Sequence, residues 1–226
     1  MVLGGVYDLR LTGMKRICQR RQMARKADVE GIINAVESAE KLTSAEFVVA
    51  LEPRSGSYRD IDLFFAVSLN FIGMLLAFFG PIVFFPDWVP LNLILLFALA
   101  WLFSAHTPFI RRLFCSSERM ERQVKELAQL QFLNQGVTQT RGRTGVMVLV
   151  SQLEKRIVVV ADSGVMRAVD DEKWKGLMRE IQGGFDGGDL SVTAVQAVEK
   201  LGKFLAEPLP VAKDDIDELS NVPSLH

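Results

Sequence analysis

Side chains that could act as nucleophiles, general bases or metal ligands are sparse in this 226-residue sequence. The two histidines are His106, beside an apolar stretch, and His226, the last residue. Histidine-based catalysis requires an imidazole held next to other reactive groups, and a His-rich zinc site requires several of them. The sequence therefore argues against both kinds of site.

The cysteines and glycines form no catalytic motif. Cys18 and Cys115 lie far apart, which does not fit a disulfide framework. After Cys115 the first arginine is four residues on and a glutamate stands at the sixth position, so the Cys-x5-Arg spacing of cysteine phosphatases is absent. The glycine-rich run GGFDGGD lacks the lysine of a phosphate-binding loop. No nucleophile is predicted.

Carboxylates are the remaining candidates for chemistry. Asp162 directly follows an apolar run that reads as a strand, and Glu46 begins another such run. Side chains at strand ends often bind ligands in α/β folds, and calcium prefers several oxygen ligands. We predict Asp162 and Glu46 as metal ligands, with calcium as the candidate cation and no other cofactor. The alternative is that these and the other acids are helix caps and solvated charges.

Other acidic residues have simpler explanations. Asp170, Asp171 and Glu172 resemble the first turn of a helix, where negative charge offsets the helix dipole. Asp186 and Asp189 lack the alternating ligands and final glutamate of an EF-hand.

The elements that must position these carboxylates form an α/β pattern. A helix begins at Asp28 with apolar residues on one face, and AEFVVAL follows as a strand. TGVMVLVS and KRIVVVAD predict two further strands joined by the polar turn QLEK. Further helices are predicted at 120–133, 173–181 and 191–205, the last with Val192, Val195, Val198 and Leu201 buried.

The centre of the chain is apolar enough to cross a membrane. Residues 63–86 and 88–110 contain no Asp, Glu, Lys or Arg, and each stretch has the length of a bilayer span. Pro and Gly cluster around Asp87, between the two stretches. We predict a transmembrane hairpin with spans at about 63–85 and 89–110; the alternative is a hydrophobic hairpin buried in a globular protein.

The charges that flank this hairpin predict its orientation. Arg and Lys lie before the first stretch and after the second, whereas the Asp87 turn contains neither. The positive-inside rule then places both termini in the cytoplasm and the turn outside. The expected location is a bacterial inner membrane, with the lipid bilayer as one partner. The basic segment 1–26 binds anionic lipids or is a disordered leader.

The domain organisation follows from these elements. The helix and strand at 27–60 are too small to fold alone. We therefore expect them to join residues 111–206 in one α/β domain, interrupted by the hairpin at 62–110. The tail at 207–226 is acidic and without periodicity, so it is expected to be loose.

Several segments resemble the TPM domain family, named for a thylakoid-lumen protein of photosystem II repair, a plant relative and a worm receptor regulator. They are AVESAEKLTSAEFVVALE, FLNQGVTQTRGRTGVMVLVSQLEKRIVVVADSGV and IQGGFDGGDLSVTAVQAVEKLG. The resemblance implies a compact sandwich of helices on a small β-sheet. Some members bind calcium or have acid-phosphatase activity. The matching features are Thr43 to Glu46, Thr140, Gly145, Asp162, Gly164, Phe185, Gly188 and Asp189.

Together these features predict a membrane-anchored interaction or regulatory module of the TPM type. The lack of a catalytic motif favours a non-enzymatic role, with a membrane or membrane-proximal protein as partner. The alternative is a divalent-cation-dependent phosphatase at the membrane surface. A net charge of −1 and two arginines in TRGRTG argue against nucleic-acid binding, and the oligomeric state is not indicated.

Overall fold

The protein is mixed α/β in a computed structural model. The structure describes residues 28–80, 88–185, 188–211 and 223–225.

The chain divides into two compact units. The first contains residues 1–53 and 128–226, and the second contains residues 54–127. The second unit is thus wider than the hairpin predicted at 62–110.

Helices outnumber strands within the described residues. The helices are α1 (residues 28–40), α2 (Arg59–Phe79), α3 (Val89–His106), α4 (Pro108–Phe114), α5 (Ser117–Asn134), α6 (Ser163–Ala168), α7 (Asp171–Gly183) and α8 (Leu190–Leu205). The strands are β1 (Glu46–Glu52), β2 (Gly145–Ser151), β3 (Arg156–Ala161) and β4 (Ser224–Leu225).

The four strands form one mixed sheet in the order β3-β2-β1-β4. β1 runs parallel to β2, with Glu46 opposite Gly145 and Glu52 opposite Ser151. β3 is antiparallel to β2, as expected for two strands joined by a short turn. All seven residues of β1 and of β2 are buried, which explains their nearly continuous apolar sequence. The segments on either side of the hairpin therefore share a sheet.

One face of the sheet packs against α1, α7 and α8 in the main hydrophobic core. Burying each valine or leucine there contributes about 1.5–3 kcal/mol. The core residues on α8 are Ala194, Ala197, Val198, Leu201 and Leu205.

The buried face of α8 agrees in part with the prediction, because Val198 and Leu201 are buried and Val195 is partly buried against the core. Val192 was expected in the stripe but is 54% exposed. Small residues also face the core, because α8 approaches α1 closely: a Cβ on Gly202 would lie 2.7 Å from the Cβ of Ala39. The prediction followed the valines, whereas close helix packing uses alanine and glycine.

The opposite face of the sheet contacts the second half of α5 and the 3-10 turn Val137–Gln139. The Gln131 side chain donates a hydrogen bond to Glu52 over 2.5 Å, and Val137 lies against Gly145. Ala128 and Phe132 on the same half-helix are also buried. Within the first unit, helical segments thus cover both faces of the sheet.

The chain end contributes a strand, contrary to the predicted loose tail at 207–226. Ser224 and Leu225 pair in parallel with Ala50 and Leu51, and the Gln135 side chain donates to the Ser224 hydroxyl over 3.0 Å. A two-residue edge strand has no local sequence pattern, so it could not be recognised from periodicity. Residues 212–222 lie outside the described part of the chain.

In the second unit, α2 and α3 are each long and apolar enough to cross a membrane. Their 21 and 18 residues correspond to about 31 and 27 Å of helix. The two helices pack on each other, with Gly73 lying against Leu96. The predicted tip at Asp87 lies outside the described residues.

The second predicted span, at 89–110, is not one continuous helix. α3 ends at His106, Thr107 is extended, and α4 begins at Pro108. Proline lacks a backbone N–H and disfavours helical conformation at the preceding residue, which accounts for the break. The Thr107 hydroxyl donates a hydrogen bond to the backbone carbonyl of Phe103 over 2.7 Å. This bond supplies a donor for a carbonyl in the last turn of α3.

Candidate functional site

The two predicted metal ligands lie on one row across the sheet. Glu46 begins β1 opposite Gly145, the first residue of β2. Asp162 follows β3 in an extended conformation, and its N–H donates to the carbonyl of Gly145 over 2.9 Å. Glu46 and Asp162 therefore flank Gly145 on neighbouring strands. Two strand spacings put their Cα atoms about 9–10 Å apart.

Both carboxylates are buried. Glu46 is 8% exposed and Asp162 is 7% exposed. One oxygen of Asp162, Oδ1, accepts a hydrogen bond from the backbone N–H of Ser163 over 2.6 Å and caps α6. The other oxygen, Oδ2, is buried and has no hydrogen-bond partner among the described residues. A buried carboxylate oxygen without a partner carries a free-energy cost, so a ligand at this position would be stabilising.

Gly145 has no side chain, and the position that a Cβ would take between the two carboxylates is filled by Val137. A Cβ at this position would collide with the carbonyl oxygen and a methyl group of Val137. Val137 belongs to the 3-10 turn, so a backbone carbonyl lies against the middle of the row. The Thr140 hydroxyl accepts from the N–H of Thr144 over 3.1 Å and fixes the loop that leads into β2. This arrangement brings two carboxylates and a backbone carbonyl to one end of the sheet.

Oxygen ligands of this kind suit a hard divalent cation. Calcium takes six to eight oxygens, and this row supplies only part of that number. The described residues contain no group of three or more His, Cys, Asp or Glu side chains arranged for a metal ion. A cation bound by these two side chains would need water molecules to complete its coordination, so the row is not a closed metal site.

A second buried polar row lies at the other end of the sheet and was not anticipated. Glu52 and Ser151 face each other across β1 and β2. The Ser151 hydroxyl donates to Glu154, and Glu52 accepts from Gln131. Each of these four side chains is at most 9% exposed. Their hydrogen bonds link the sheet to α5 and to the turn after β2.

An ion-pair cluster in the second unit was also missed. Asp62 in α2 accepts two hydrogen bonds from Arg111 in α4, over 3.1 and 2.7 Å. The Ser104 hydroxyl, near the end of α3, donates to the same carboxylate over 2.8 Å. The Asp62 side chain is 2% exposed and Ser104 is fully buried. The hydrogen bond to Asp62 raises the pKa of Arg111 above its usual value. This cluster joins three helices.

The sequence contains a signal for this cluster. Asp62 is the last charged residue before the first apolar stretch, and Arg111 is the first after the second. A hairpin with arms of similar length brings these two positions to the same end. The positive-inside rule uses Arg111 only as one of the positive charges that set the orientation, and it gives no reason to pair this residue with Asp62.

Arg119, in the first turn of α5, makes a second pair with Asp60. Its guanidinium donates to both carboxylate oxygens over 2.5 and 3.0 Å. It also lies over the buried ring of Tyr58, 5.8 Å from the centroid. The hydrogen bond to Asp60 is the main cause of the raised pKa of Arg119. Unlike Asp62, Asp60 is exposed.

The other residues singled out in the sequence have structural positions. Cys115 is buried directly after α4, and the imidazole Nδ1 of His106 lies 2.8 Å from the carbonyl of Leu102. Asp170 and Asp189 cap α7 and α8 through backbone N–H groups, as the alternative explanation of the acids predicts. Cys18, Asp186 and His226 lie outside the described residues.

Comparisons with known proteins inform the fold. No model of a known protein family matches the sequence, and no curated protein matches it. The chain is similar to the NMR structure of the BA42 protein from the psychrophilic bacterium Bizionia argentinensis, with a TM-score of 0.54 and 23% sequence identity. The match covers 88% of this chain and 93% of that one. At this identity the likeness shows a shared fold.

Proposed function

We propose that this protein is a membrane-anchored interaction or regulatory module of the TPM type. In this proposal α2 and α3 form a transmembrane hairpin, and the α/β domain lies at the cytoplasmic face of a bacterial inner membrane. The domain binds a membrane or membrane-proximal protein, and the Glu46–Asp162 row binds calcium.

The observation that carries this proposal is the exposed apolar surface of the hairpin. Only 17% of the most apolar 18-residue window of α2 is buried, and only 11% of that of α3. A core helix of a soluble protein is mostly buried. Large side chains such as Phe71, Leu76, Ile94 and Leu99 are each more than half exposed. A lipid environment would cover this surface.

The charged cluster supports the hairpin arrangement. A carboxylate in hydrocarbon is costly unless paired. Asp62 is satisfied by Arg111 and Ser104, and all three lie at the helix ends that carry the flanking charges. The polar groups thus mark one membrane boundary, while the residues from Leu63 onward provide the apolar surface.

Membrane extraction and reporter fusions test the anchor and its orientation. The full chain is expected to stay in the membrane fraction at alkaline pH. An alkaline phosphatase fused within residues 81–87 is expected to be active, because that enzyme folds outside the cytoplasm, whereas the same fusion at the C-terminus is expected to be inactive. Release at alkaline pH would contradict the anchor, and an active C-terminal fusion would contradict the orientation.

Site-specific photo-crosslinking in native membranes tests the interaction role. A crosslinker at exposed Val192 on α8 samples the α/β domain, and one at exposed Phe71 on α2 serves as the membrane-facing control. A specific protein adduct from the domain position, changed in yield by calcium chelation, is the expected result. A domain that gives no adduct with or without calcium would contradict the proposal.

The carboxylate row also favours a second candidate, a divalent-cation-dependent phosphatase. Glu46 and Asp162 are buried on either side of Gly145, as two carboxylates that hold a cation for phosphoryl transfer would be. The full chain in detergent is assayed on a phosphomonoester with calcium, with magnesium and with chelator. Hydrolysis that requires the cation and is lost in Asp162→Asn would show that the protein is a phosphatase, and the non-enzymatic proposal would then be wrong.

A further inference from the structure

The short helix α4 has one face fixed against the rest of its unit. Ile110 is 7% exposed, and Arg111 holds the buried carboxylate of Asp62. The ring of Phe114 lies 6.2 Å from that of Phe64 and 6.1 Å from that of Phe65, at the start of α2. Positions 110, 111 and 114 are neighbours on a helix surface. These contacts determine which face of α4 points outward.

The outward face of α4 combines two large apolar side chains with one arginine. Phe109 is 69% exposed and Leu113 is 65% exposed, and Arg112 is exposed between them. Positions 109, 112 and 113 have i, i+3 and i+4 spacing, so they share one helix face. Leaving such side chains in water is unfavourable by about 1.5–3 kcal/mol each relative to burial.

Exposed apolar side chains also precede this face in the chain, on α3. Leu102 and Phe103, in the last turns of α3, are 55% and 61% exposed. A single residue, Thr107, separates α3 from α4. Exposed apolar side chains therefore occur on both sides of this break, and exposed polar residues follow α4 at Ser116 and Glu118. Such a transition from apolar to polar surface is found at the boundary between acyl chains and headgroups.

We propose that α4 lies in the headgroup–acyl boundary of the membrane that α2 and α3 cross, and that the lipid there covers its outward face. Phe109 and Leu113 enter the upper acyl region, and the Arg112 side chain extends to lipid phosphates. The Asp62–Arg111 pair sets the rotation of the helix. This inference rests on the proposed transmembrane hairpin and adds a second, interfacial contact with the same membrane.

Depth-dependent fluorescence quenching tests this placement in the full chain. The protein is reconstituted in vesicles of phosphatidylcholine and phosphatidylglycerol, with Cys18 and Cys115 replaced by alanine. A single cysteine then carries an environment-sensitive fluorophore in Leu113→Cys, in Leu99→Cys within α3, or in Leu133→Cys on α5. These three leucines are 65%, 55% and 64% exposed, so the substitutions remove little packing. Lipids with nitroxides near the headgroup or deep in the acyl chain act as quenchers.

The three positions are expected to differ. The probe at Leu113→Cys loses more fluorescence with the shallow nitroxide than with the deep one, consistent with a depth of about 5–10 Å below the headgroups. The probe at Leu99→Cys loses more with the deep nitroxide, and the probe at Leu133→Cys loses little with either. Because Cys115 is buried, a second preparation keeps it and labels the folded protein under native conditions. This preparation protects the test against misfolding of the cysteine-free chain.

The outcomes separate this inference from the membrane proposal. If Leu99→Cys is quenched and Leu113→Cys is not, the interfacial placement of α4 is wrong and the hairpin stands. Stronger quenching of Leu113→Cys by the deep nitroxide also overturns the interfacial placement. Energy transfer between labelled copies at this position, without lipid quenching, would show that a second chain covers α4 instead. If Leu99→Cys is not quenched, the transmembrane proposal itself fails.

Discussion

Asp62 and Arg111, the charged residues that bound the apolar region, form a buried ion pair with two hydrogen bonds. They are separated by 49 residues and both apolar helices. The third partner, Ser104, completes the hydrogen bonding of the carboxylate. The pair therefore links the first turn of α2 to the segment that follows α3.

Asp62→Ala is expected to lower the free energy of unfolding by about 3 kcal/mol, because it removes the counter-ion of the Arg111 guanidinium, which is only 13% exposed. The control is Asp60→Ala, two residues earlier in α2, which removes an exposed bidentate partner from Arg119 and should cost at most about 1 kcal/mol. Unfolding of the full chain in detergent micelles measures both. The double variant Asp62→Ala, Arg111→Met should recover part of the lost stability. If Asp62→Ala and Asp60→Ala lowered the stability equally, the Asp62–Arg111 pair would not have the assigned role.

Gly145→Ala is expected to destabilise the α/β domain by about 1–3 kcal/mol, because its Cβ collides with the Val137 carbonyl. Gly176→Ala is the matched control. Gly176 lies within α7 and its Cβ would meet no atom within 4 Å, so alanine should stabilise the helix by about 0.5–1 kcal/mol. Thermal unfolding followed by circular dichroism gives both values. A neutral Gly145→Ala would mean that the turn at Val137 does not lie against the sheet.

Asp162→Asn separates the capping role of Asp162 from cation binding. Asparagine is as good an N-cap as aspartate, so stability without calcium should change little. Calcium at about 100 times its dissociation constant should stabilise the parent chain by about 2.7 kcal/mol and the variant much less. Asp189→Asn makes the same change at the exposed cap of α8 and should keep the calcium effect. Calorimetry with calcium and with chelator measures the stability of each protein. If Asp162→Asn keeps the calcium effect, the cation binds at a site that does not include Asp162.

Deleting residues 212–226 removes β4 and leaves Ala50 and Leu51 unpaired on the outer side of β1. Unpaired apolar edge strands associate with one another, so the truncated chain should self-associate at lower concentration. Gln135→Ala loses only the hydrogen bond to Ser224 and should cost about 1 kcal/mol without promoting association. Light scattering of both proteins in the same detergent distinguishes the effects. A truncated protein that stays as dispersed as the parent would show that β4 does not protect β1.

Local pattern was sufficient to predict β1, β2 and β3, since each is a short apolar run that contains several valines. It also placed Glu46 and Asp162 at strand ends. What brings these two residues onto one row is the register of β1 against β2, which is set by contacts distant in sequence. The end of α3 at His106 was not predicted. Although Pro108 indicates a break, the residues on both sides of it are apolar, so the composition alone predicted one continuous span.

The pairing of Glu46 with Gly145 also bears on how the protein is made. The ribosome must add about 100 residues after β1 before its partner strand exists, which takes about 5–20 s at ordinary rates of synthesis. During that interval the apolar residues between Glu46 and Glu52 have no sheet to join, while the hairpin helices can already form from local hydrogen bonds. Assembly of the α/β domain is thus delayed until the intervening helices have been synthesised. The nascent chain should depend on chaperone binding near Phe47 more than its modest length would suggest.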